Sequence, residues 1–337
     1  GQFTGKHTWS DTDKLDWSAG YSYANRNMPD RRRYNTVLNT DTNQLEVENL
    51  NEINREFSRL NEHILSANIN YQHDFAFGDF TPTLKMGGYT EYRTREYNTR
   101  LFIYSWKNGL PSNYRVMNVP DELMQDKNYG EDKLYLLEQV DWRNNYEGNN
   151  MLGAGYAGVN LPFGKWNIYA GVRFEHSRME LISNTQKNEK SPTSVYYTYD
   201  DFFPSLNAAY RLNEQHQFRL SYGRTVNRPE FREVSSSVYY DFDLASNVQG
   251  NYDLKAAYID NIDLGYEYYP SNGELISVSL FYKKFKNPIE WTYTVAGGTD
   301  LIYSYINAKG ADNYGVEVDI RKNLDFIGMK NFSLSLN

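Results

Sequence analysis

Residue types that carry enzyme chemistry are scattered along this chain and do not adopt the spacings that such chemistry needs. The five histidines never occur in the H-E-x-x-H spacing that brings two imidazoles to one zinc ion. The chain has no cysteine, which removes thiolate zinc sites and disulfides. No G-x-S-x-G turn is present to carry a serine nucleophile. We therefore predict no catalytic residues, no metal site and no enzymatic activity.

Two further motifs have chemical precedents but lack the required context. Gly153 to Gly158 match G-x-G-x-x-G, which binds a dinucleotide at the start of a helix, yet Leu161 to Gly164 lead directly into another strand. Small residues in a crowded strand explain this motif better. Asp11, Asp13 and Asp16 lack the glycine and the distant glutamate of a calcium-binding EF-hand loop, so we interpret them as solvated acids. We predict no cofactor.

The composition is unusual for a soluble enzyme. Tyr, Phe and Trp make up 16% of the 337 residues, with 31 tyrosines, while the mean hydropathy is only −0.75. Tyrosine suits a surface that is apolar on one side and wet at its edge, as at a membrane interface. A net charge of −8 argues against a nucleic-acid partner. Since no stretch approaches the roughly 18 apolar residues of a membrane helix, any bilayer crossing must use strands.

Alternation of apolar and polar residues is the dominant pattern and predicts about eleven β-strands. The clearest runs are Gly273 to Lys283 and Lys165 to His176, whose second face is polar and charged. In a membrane barrel the apolar face meets lipid and the polar face lines the interior. The residues predicted to face lipid are Ile168, Val172, Ile276, Val278, Leu280 and Val318.

Short and long connections alternate along the chain. The short links lie near Gly78, Gly164, Glu214, Asn272 and Asp325 to Lys330, and aromatic residues such as Phe75, Phe163, Trp166 and Tyr268 flank them. The long polar segments cover roughly Arg26 to Leu60, Ser105 to Asn150, Ser183 to Asp200, Arg228 to Tyr258 and Asn287 to Tyr303. Because each strand reverses direction, all short turns fall at one end of the sheet. The sequence therefore predicts an all-β, antiparallel up-and-down transmembrane β-barrel with short periplasmic turns, long extracellular loops and interfacial aromatic residues.

Two stretches add a family resemblance. Asp201 to Phe231 contains a Phe-Pro-Ser strand, a tight turn and a strand ending in Arg-Pro, and Trp166 to Glu175 precedes it. Together with the shorter motifs that follow, such as Phe285 to Ile289 and Tyr314 to Glu317, this order resembles the barrel of TonB-dependent receptors. The likeness covers roughly Met151 to Leu324 well and the first 150 residues only by pattern.

The resemblance implies an outer-membrane receptor that imports a scarce nutrient. Such a barrel surrounds a plug, and TonB acts on that plug; neither the plug nor the TonB-contacting segment is visible here. About eleven strands would be half of a 22-stranded barrel, and both ends of the chain look cut. We therefore interpret residues 1–337 as a partial outer-membrane β-barrel domain, with the plug domain and the remaining strands absent from this chain.

The long loops hold the candidate ligand-binding residues. Aromatic rings stack on flat ligands, and arginine binds anionic groups, although the same rings can simply pack the loops together. The candidates are Trp106, Arg115, Trp142, Arg143, Tyr196, Tyr197, Tyr239, Tyr240 and Trp291. The run Arg31-Arg32-Arg33 is interpreted as solvated charge, with contact to lipopolysaccharide or to an anionic ligand as the alternative.

The function that the resemblance implies is TonB-dependent uptake of a siderophore–iron complex, a corrinoid, an oligosaccharide or a peptide at the bacterial outer membrane. The expected partners are outer-membrane lipid, the nutrient ligand and TonB, with a surface lipoprotein left open. A plug-free porin is the alternative transporter. A soluble all-β binding or adhesion protein is the alternative from another class, and it would bury its apolar face instead of exposing it.

Overall fold

The chain folds almost entirely into β-strands. The computed structural model describes residues 1–47, 53–108, 125–298, 300–329 and 331–337. The strands are β1 (Gln2–Thr8), β2 (Asp13–Arg33), β3 (Val37–Asn39), β4 (Gln44–Glu46), β5 (Asn54–Asp74), β6 (Thr83–Trp106), β7 (Leu134–Glu138), β8 (Tyr146–Phe163), β9 (Trp166–Asn184), β10 (Pro192–Arg211), β11 (His216–Asn227), β12 (Val238–Asp241), β13 (Ser246–Gln249), β14 (Ala257–Tyr268), β15 (Leu275–Lys286), β16 (Ile289–Gly297), β17 (Asp300–Asn307), β18 (Gly310–Asn323) and β19 (Ser333–Leu336).

Helical structure is minor in the described residues. One α-helix, α1 (Phe231–Val234), and three 3₁₀ turns, at Asp126–Asn128, Trp142–Asn144 and Asp325–Ile327, are present. None of these helices has the length and hydropathy of a membrane span.

Twelve strands form one continuous antiparallel sheet in the order β1-β2-β5-β6-β8-β9-β10-β11-β14-β15-β18-β19, and β7 pairs with the end of β6. Each strand in this path pairs with its predecessor along the chain once the inserted short strands are left out, as in an up-and-down barrel. The predicted fold class is therefore confirmed, with twelve strands in place of about eleven. Gly164 and Lys165 join β8 to β9, and Gly164 takes the positive φ of 57° that a two-residue hairpin needs.

The apolar side chains of the sheet form one face. Directly paired residues lie on the same side of an antiparallel sheet, so the registers can be followed across strands. One apolar row crosses seven strands through Leu161, Ile168, Ala208, Leu220, Leu264, Leu280 and Val316. Val172, Leu280 and Val318 are 45–47% exposed, Val278 is also exposed, and Ile168 and Ile276 are half-buried. All six predicted lipid-facing residues therefore lie on this apolar face.

Aromatic side chains lie at the edge of this apolar face, next to the short turns. Trp166 lies 4.7 Å from Tyr210 between ring centroids, and Phe218 lies 5.1 Å from Tyr266. His216 stacks on Tyr268 with centroids 4.7 Å apart. These rings occupy the position of an interfacial aromatic girdle, where one edge of each ring contacts lipid and the other contacts water.

Several strands continue well past the length that a bilayer requires. A barrel strand needs about 9–11 residues to cross, whereas β2 and β5 have 21 each and β6 has 24. The predicted long loop from Ser183 to Asp200 is therefore wrong: β9 and β10 occupy most of it, and residues 185–191 connect them. The apolar alternation ends partway along these strands, but the hydrogen-bonded ladder continues, so hydropathy alone misses the rest of each strand.

A second, smaller sheet packs on the polar face. Its order is β12-β13-β17-β16, and together with α1 it forms what we call the loop sheet. Its side chains Val248, Tyr305 and Phe231 share a buried core with Met179 and Leu181 of β9. The packed face is thus the one opposite the apolar row, which is the reverse of a soluble sandwich that buries its apolar strand face.

Because neighbouring residues of β15 lie on opposite faces, we expect the same substitution to change the free energy of unfolding by different amounts at the two positions. In the full-length protein reconstituted in lipid vesicles, Leu280→Arg should lower the free energy of unfolding by about 2–4 kcal/mol, because it places a cation on the lipid face. Ser279→Arg, one residue away on the opposite face, should change it by no more than about 1 kcal/mol. Equal losses for the two variants, measured by urea unfolding, would contradict the assigned orientation.

Candidate functional site

A cleft lies between the inner face of β2, β5 and β6 and the strand β12 of the loop sheet. It has two lobes, with volumes of about 420 and 360 Å³. Arg31, Glu56, Tyr239, Tyr240 and Phe242 border both lobes, so the two form one continuous site. We call it the wall cleft. Its volume is within the range of sites for small molecules and cofactors.

A β-bulge in β2 turns two arginines into the wall cleft. The register between β2 and β5 shifts between Met28 and Arg31, where Pro29 lacks the amide proton that a regular ladder would use. Beyond the bulge Arg31 and Arg33 pair with Glu56 and Asn54 and line the cleft. The interpretation of this run as solvated charge is therefore wrong for Arg31 and Arg33.

The neighbours of these two arginines point to the opposite side of the sheet. Asp30 binds the Arg55 guanidinium at 2.8 Å and the Arg32 guanidinium at 2.9 Å. The side chain of Arg32 is 48% exposed. Beyond the bulge, Arg31 and Arg33 therefore line the wall cleft, whereas Arg32 between them points to the other face.

Aromatic rings of the β12 segment face these cations. The Arg33 guanidinium lies 4.1 Å from the centroid of Tyr240, and that of Arg31 lies 4.7 Å from Phe242. Arg232 of α1 stacks on Tyr239 at 3.2 Å. Each pair holds a planar cation against a ring face, which fixes both partners and leaves guanidinium edges available for hydrogen bonds.

The Tyr239 ring is also fixed from behind. Its hydroxyl lies 3.3 Å from that of Tyr305 in β17. Burial raises the pKa of the Tyr305 phenol above its ordinary value, so this hydroxyl stays protonated and neutral. The aromatic side of the cleft therefore rests on the packed core of the loop sheet.

The wall cleft is cationic although the chain is acidic overall. The described basic side chains around its two lobes are Arg26, Arg31, Arg33, Arg95, Arg143, Arg232 and Lys187, and the acidic ones are Glu56, Asp141, Asp241 and Asp243. Glu56 forms an ion pair with Arg31, and Asp141 with Arg143. Basic groups exceed acidic groups in a protein whose net charge is −8, so the site favours an anionic ligand.

The segment from Arg228 to Phe231 anchors the loop sheet to the barrel wall. Arg228 forms ion pairs with Glu175 at 2.8 Å and with Asp201 at 3.1 Å. Phe231 is fully buried against Gly148 of β8, where any Cβ atom would overlap the ring. The residues that directly follow β11 therefore fix the start of α1 and, through α1, the position of β12.

Three of the predicted ligand-contacting residues meet in the wall cleft: Arg143, Tyr239 and Tyr240. Trp142 adjoins it in the same 3₁₀ turn, with the Lys190 ammonium 4.7 Å above its ring. Tyr197 is buried beneath the loop sheet, where its hydroxyl donates to the carbonyl of Tyr252.

The other predicted residues lie elsewhere. Trp291 is exposed at the edge strand of the loop sheet and packs on Tyr305. Trp106 belongs to a separate apolar cluster at the tip of β6. Tyr196 projects from the opposite face to Tyr197 and donates to Glu180 at 2.8 Å. Arg115 lies outside the described residues.

Sequence reasoning missed Arg26, Arg232 and Phe242 of the wall cleft, and it gave ligand contact by Arg31 and Arg33 only as the alternative. Pro29 was the available signal, since proline inside a long strand commonly marks a bulge. Arg232 gave no such signal because its position depends on how α1 packs.

Other chemical motifs do not assemble into a site. Gly153, Gly155 and Gly158 lie inside β8, where the Tyr169 hydroxyl crowds Gly158 and no helix follows. Within the described part of the chain, no three His, Asp or Glu side chains group around a position that could hold a metal ion.

Comparison with known proteins places this architecture in a family. The family model of the TonB dependent receptor-like β-barrel matches residues 1–337. The chain belongs to this family. The suggested resemblance is thereby confirmed, and the family is one of receptors, not of enzymes, as predicted. Among curated protein sequences, no match was found.

Solved structures with the same fold include two receptors and one transporter. The ferric-catecholate import receptor Fiu from E. coli K12 has a TM-score of 0.59 and 15% identity, and the ferric citrate transporter FecA has 0.63 and 14%. The siderophore receptor PiuA from Acinetobacter baumannii has 0.61 and 11%. The alignments cover 96%, 99% and 96% of this receptor barrel but only 44%, 40% and 44% of those chains. The chain thus spans less than half the length of these structures.

The anchoring contact between Phe231 and Gly148 of this receptor barrel can be tested by adding one methyl group at Gly148. Gly148→Ala should displace Phe231, cost about 1–3 kcal/mol through overpacking and speed proteolytic cleavage between residues 228 and 256. Gly153→Ala in the same strand is the matched control, because nothing lies within 4 Å of its added Cβ. Limited proteolysis of the full-length protein measures the difference, and equal cleavage rates for both variants would exclude an anchoring role for Phe231.

Proposed function

We propose that this chain is part of an outer-membrane receptor that binds a scarce nutrient in the wall cleft for TonB-dependent active uptake. The observation that carries this proposal is a cationic, aromatic-lined cleft on the inner face of a receptor-family barrel. The lipid-facing apolar row supports a location in the outer membrane, where closed β-barrels satisfy their backbone hydrogen bonds.

The transport machinery belongs to a longer protein. In the proposed arrangement, twelve strands of a 22-stranded barrel are present here, and the remaining strands and a plug complete it. The share of Fiu, FecA and PiuA that this chain covers supports a partial barrel. TonB would act on the plug, and a surface lipoprotein is a further partner in this proposal.

The positive charge of the wall cleft restricts the chemical class of the ligand. Siderophore–iron complexes, corrinoids, oligosaccharides and peptides are the proposed nutrient classes. Within them, Arg33, Arg232 and Lys187 favour a compound that presents carboxylate, catecholate or phosphate oxygens. The names of two structural relatives, a ferric-catecholate receptor and a ferric citrate transporter, agree with such a ligand.

A growth experiment can identify the nutrient and test the cleft. A strain lacking the parent gene is grown on defined iron and carbon sources, and the nutrient that it fails to use is then titrated against the purified full-length receptor. Arg33→Gln should weaken that binding by about tenfold or more, since it removes a charge-assisted contact inside the cleft. Arg32→Gln should change it by less than about twofold, because Arg32 points to the other face.

Two results would contradict the proposal. Equal effects of Arg32→Gln and Arg33→Gln would remove the ligand from the wall cleft. Uptake that persists in a strain lacking TonB would instead support the plug-free channel.

A further inference from the structure

A groove lies on the outer wall of the barrel, on the opposite face of the sheet from the wall cleft. This groove has a volume of about 820 Å³ and crosses β2, β5, β6, β8 and β9. Its tyrosines Tyr21 and Tyr92 both pair with Leu65, a residue of the apolar face. The groove therefore opens on the same side as the lipid-facing residues.

The groove begins where the apolar band of this face ends. Along β5 the outward residues change from Leu65 to His63, and along β8 they change from Met151 to Asn149. Tyr23 is ten residues from Asp13, the first residue of β2. For a strand tilted by about 40°, ten residues rise about 25 Å, which is the height of the apolar band of an outer-membrane barrel. The groove thus lies at the level of the lipid headgroups of the outer leaflet.

Its lining combines exposed ring faces with hydrogen-bonding side chains. Tyr21, Tyr23 and Tyr92 are each about half exposed. The Tyr21 hydroxyl lies 2.7 Å from Nδ1 of His63, whose ring is also 4.9 Å from that of Tyr23. These contacts hold the rings in place before any ligand arrives, which lowers the ordering cost of binding.

The polar groups of the groove are of mixed charge. Arg59, Asn61, Thr94, Glu96 and Asn149 surround the aromatic cluster. Donors and acceptors beside half-exposed aromatic rings suit a ligand with many hydroxyl groups and apolar ring faces, which is the chemistry of a sugar. Among the charged residues that line the groove, Glu96 and Glu147 balance Arg59 and Arg95, so an anionic lipid without sugars would gain little here.

We propose that this groove binds the saccharide headgroup of a membrane glycolipid in the outer leaflet. The lipid tails of that glycolipid would lie against the apolar row below, so its headgroup would reach the groove without leaving the membrane. This inference rests on the outer-membrane location in the proposed function, but it does not depend on the nutrient or on the wall cleft.

The experiment uses the full-length receptor and two matched double variants. Receptor stripped of lipid is titrated with vesicles of phosphatidylethanolamine with or without lipopolysaccharide. Tyr23→Ala with Tyr92→Ala should weaken binding to the lipopolysaccharide vesicles at least tenfold. Tyr282→Ala with Tyr314→Ala, also on the outer face but on β15 and β18, should weaken it less than twofold.

Three outcomes would overturn the proposal. The first is equal loss in both double variants, and the second is equal binding to vesicles that lack lipopolysaccharide. The third is equally tight binding of the free polysaccharide without its lipid, which would make the occupant a soluble glycan. Failure of the proposed function is separately visible, since the receptor would then be missing from the outer-membrane fraction or the deletion strain would lose no nutrient.

Discussion

The structure depends on one constraint: backbone amide and carbonyl groups that cross hydrocarbon must be paired within the protein. An antiparallel ladder in which each strand pairs with the next meets this demand, and here the ladder extends through twelve strands. Once the ladder is fixed, side chains alternate strictly between its two faces. A single register therefore decides which residues lie on the apolar face and which lie on the polar face, so Leu280 and Ser279 have different environments although they are adjacent.

The same constraint explains why the wall cleft depends on an irregularity. Regular alternation along β2 would have sent Arg32 inward with Met28, and Arg31 and Arg33 outward. The bulge at Pro29 exchanges the two sets of side chains between the faces of the sheet. Two arginines thereby reach Tyr240 and Phe242 without any change in the strands below.

The amino-acid sequence was sufficient for the features that follow from alternation, and insufficient for those that follow from packing. The shared apolar face of the six residues predicted to meet lipid, and the turns near Gly164 and Asn272, could be predicted because period two and turn residues are local signals. Tyr196 and Tyr197 show the limit: both seemed equally suited to a loop site, yet a strand sends them to opposite faces. The contact between Phe231 and Gly148 joins positions 83 residues apart, and no local pattern contains that information.

The segment from Arg228 to Phe231 orders the wall cleft before any ligand binds, and this affects the free energy of binding. A cleft formed by free loops must be ordered at each binding event, and each rotamer-rich side chain fixed in that step costs roughly 0.5–1.5 kcal/mol. Here the Arg228 ion pairs and the buried Phe231 hold α1, while Arg232 stacks on Tyr239 and Tyr305 supports it from behind. The aromatic side of the cleft is therefore ordered by folding, and the energy of the cationic contacts remains available to distinguish one ligand from another.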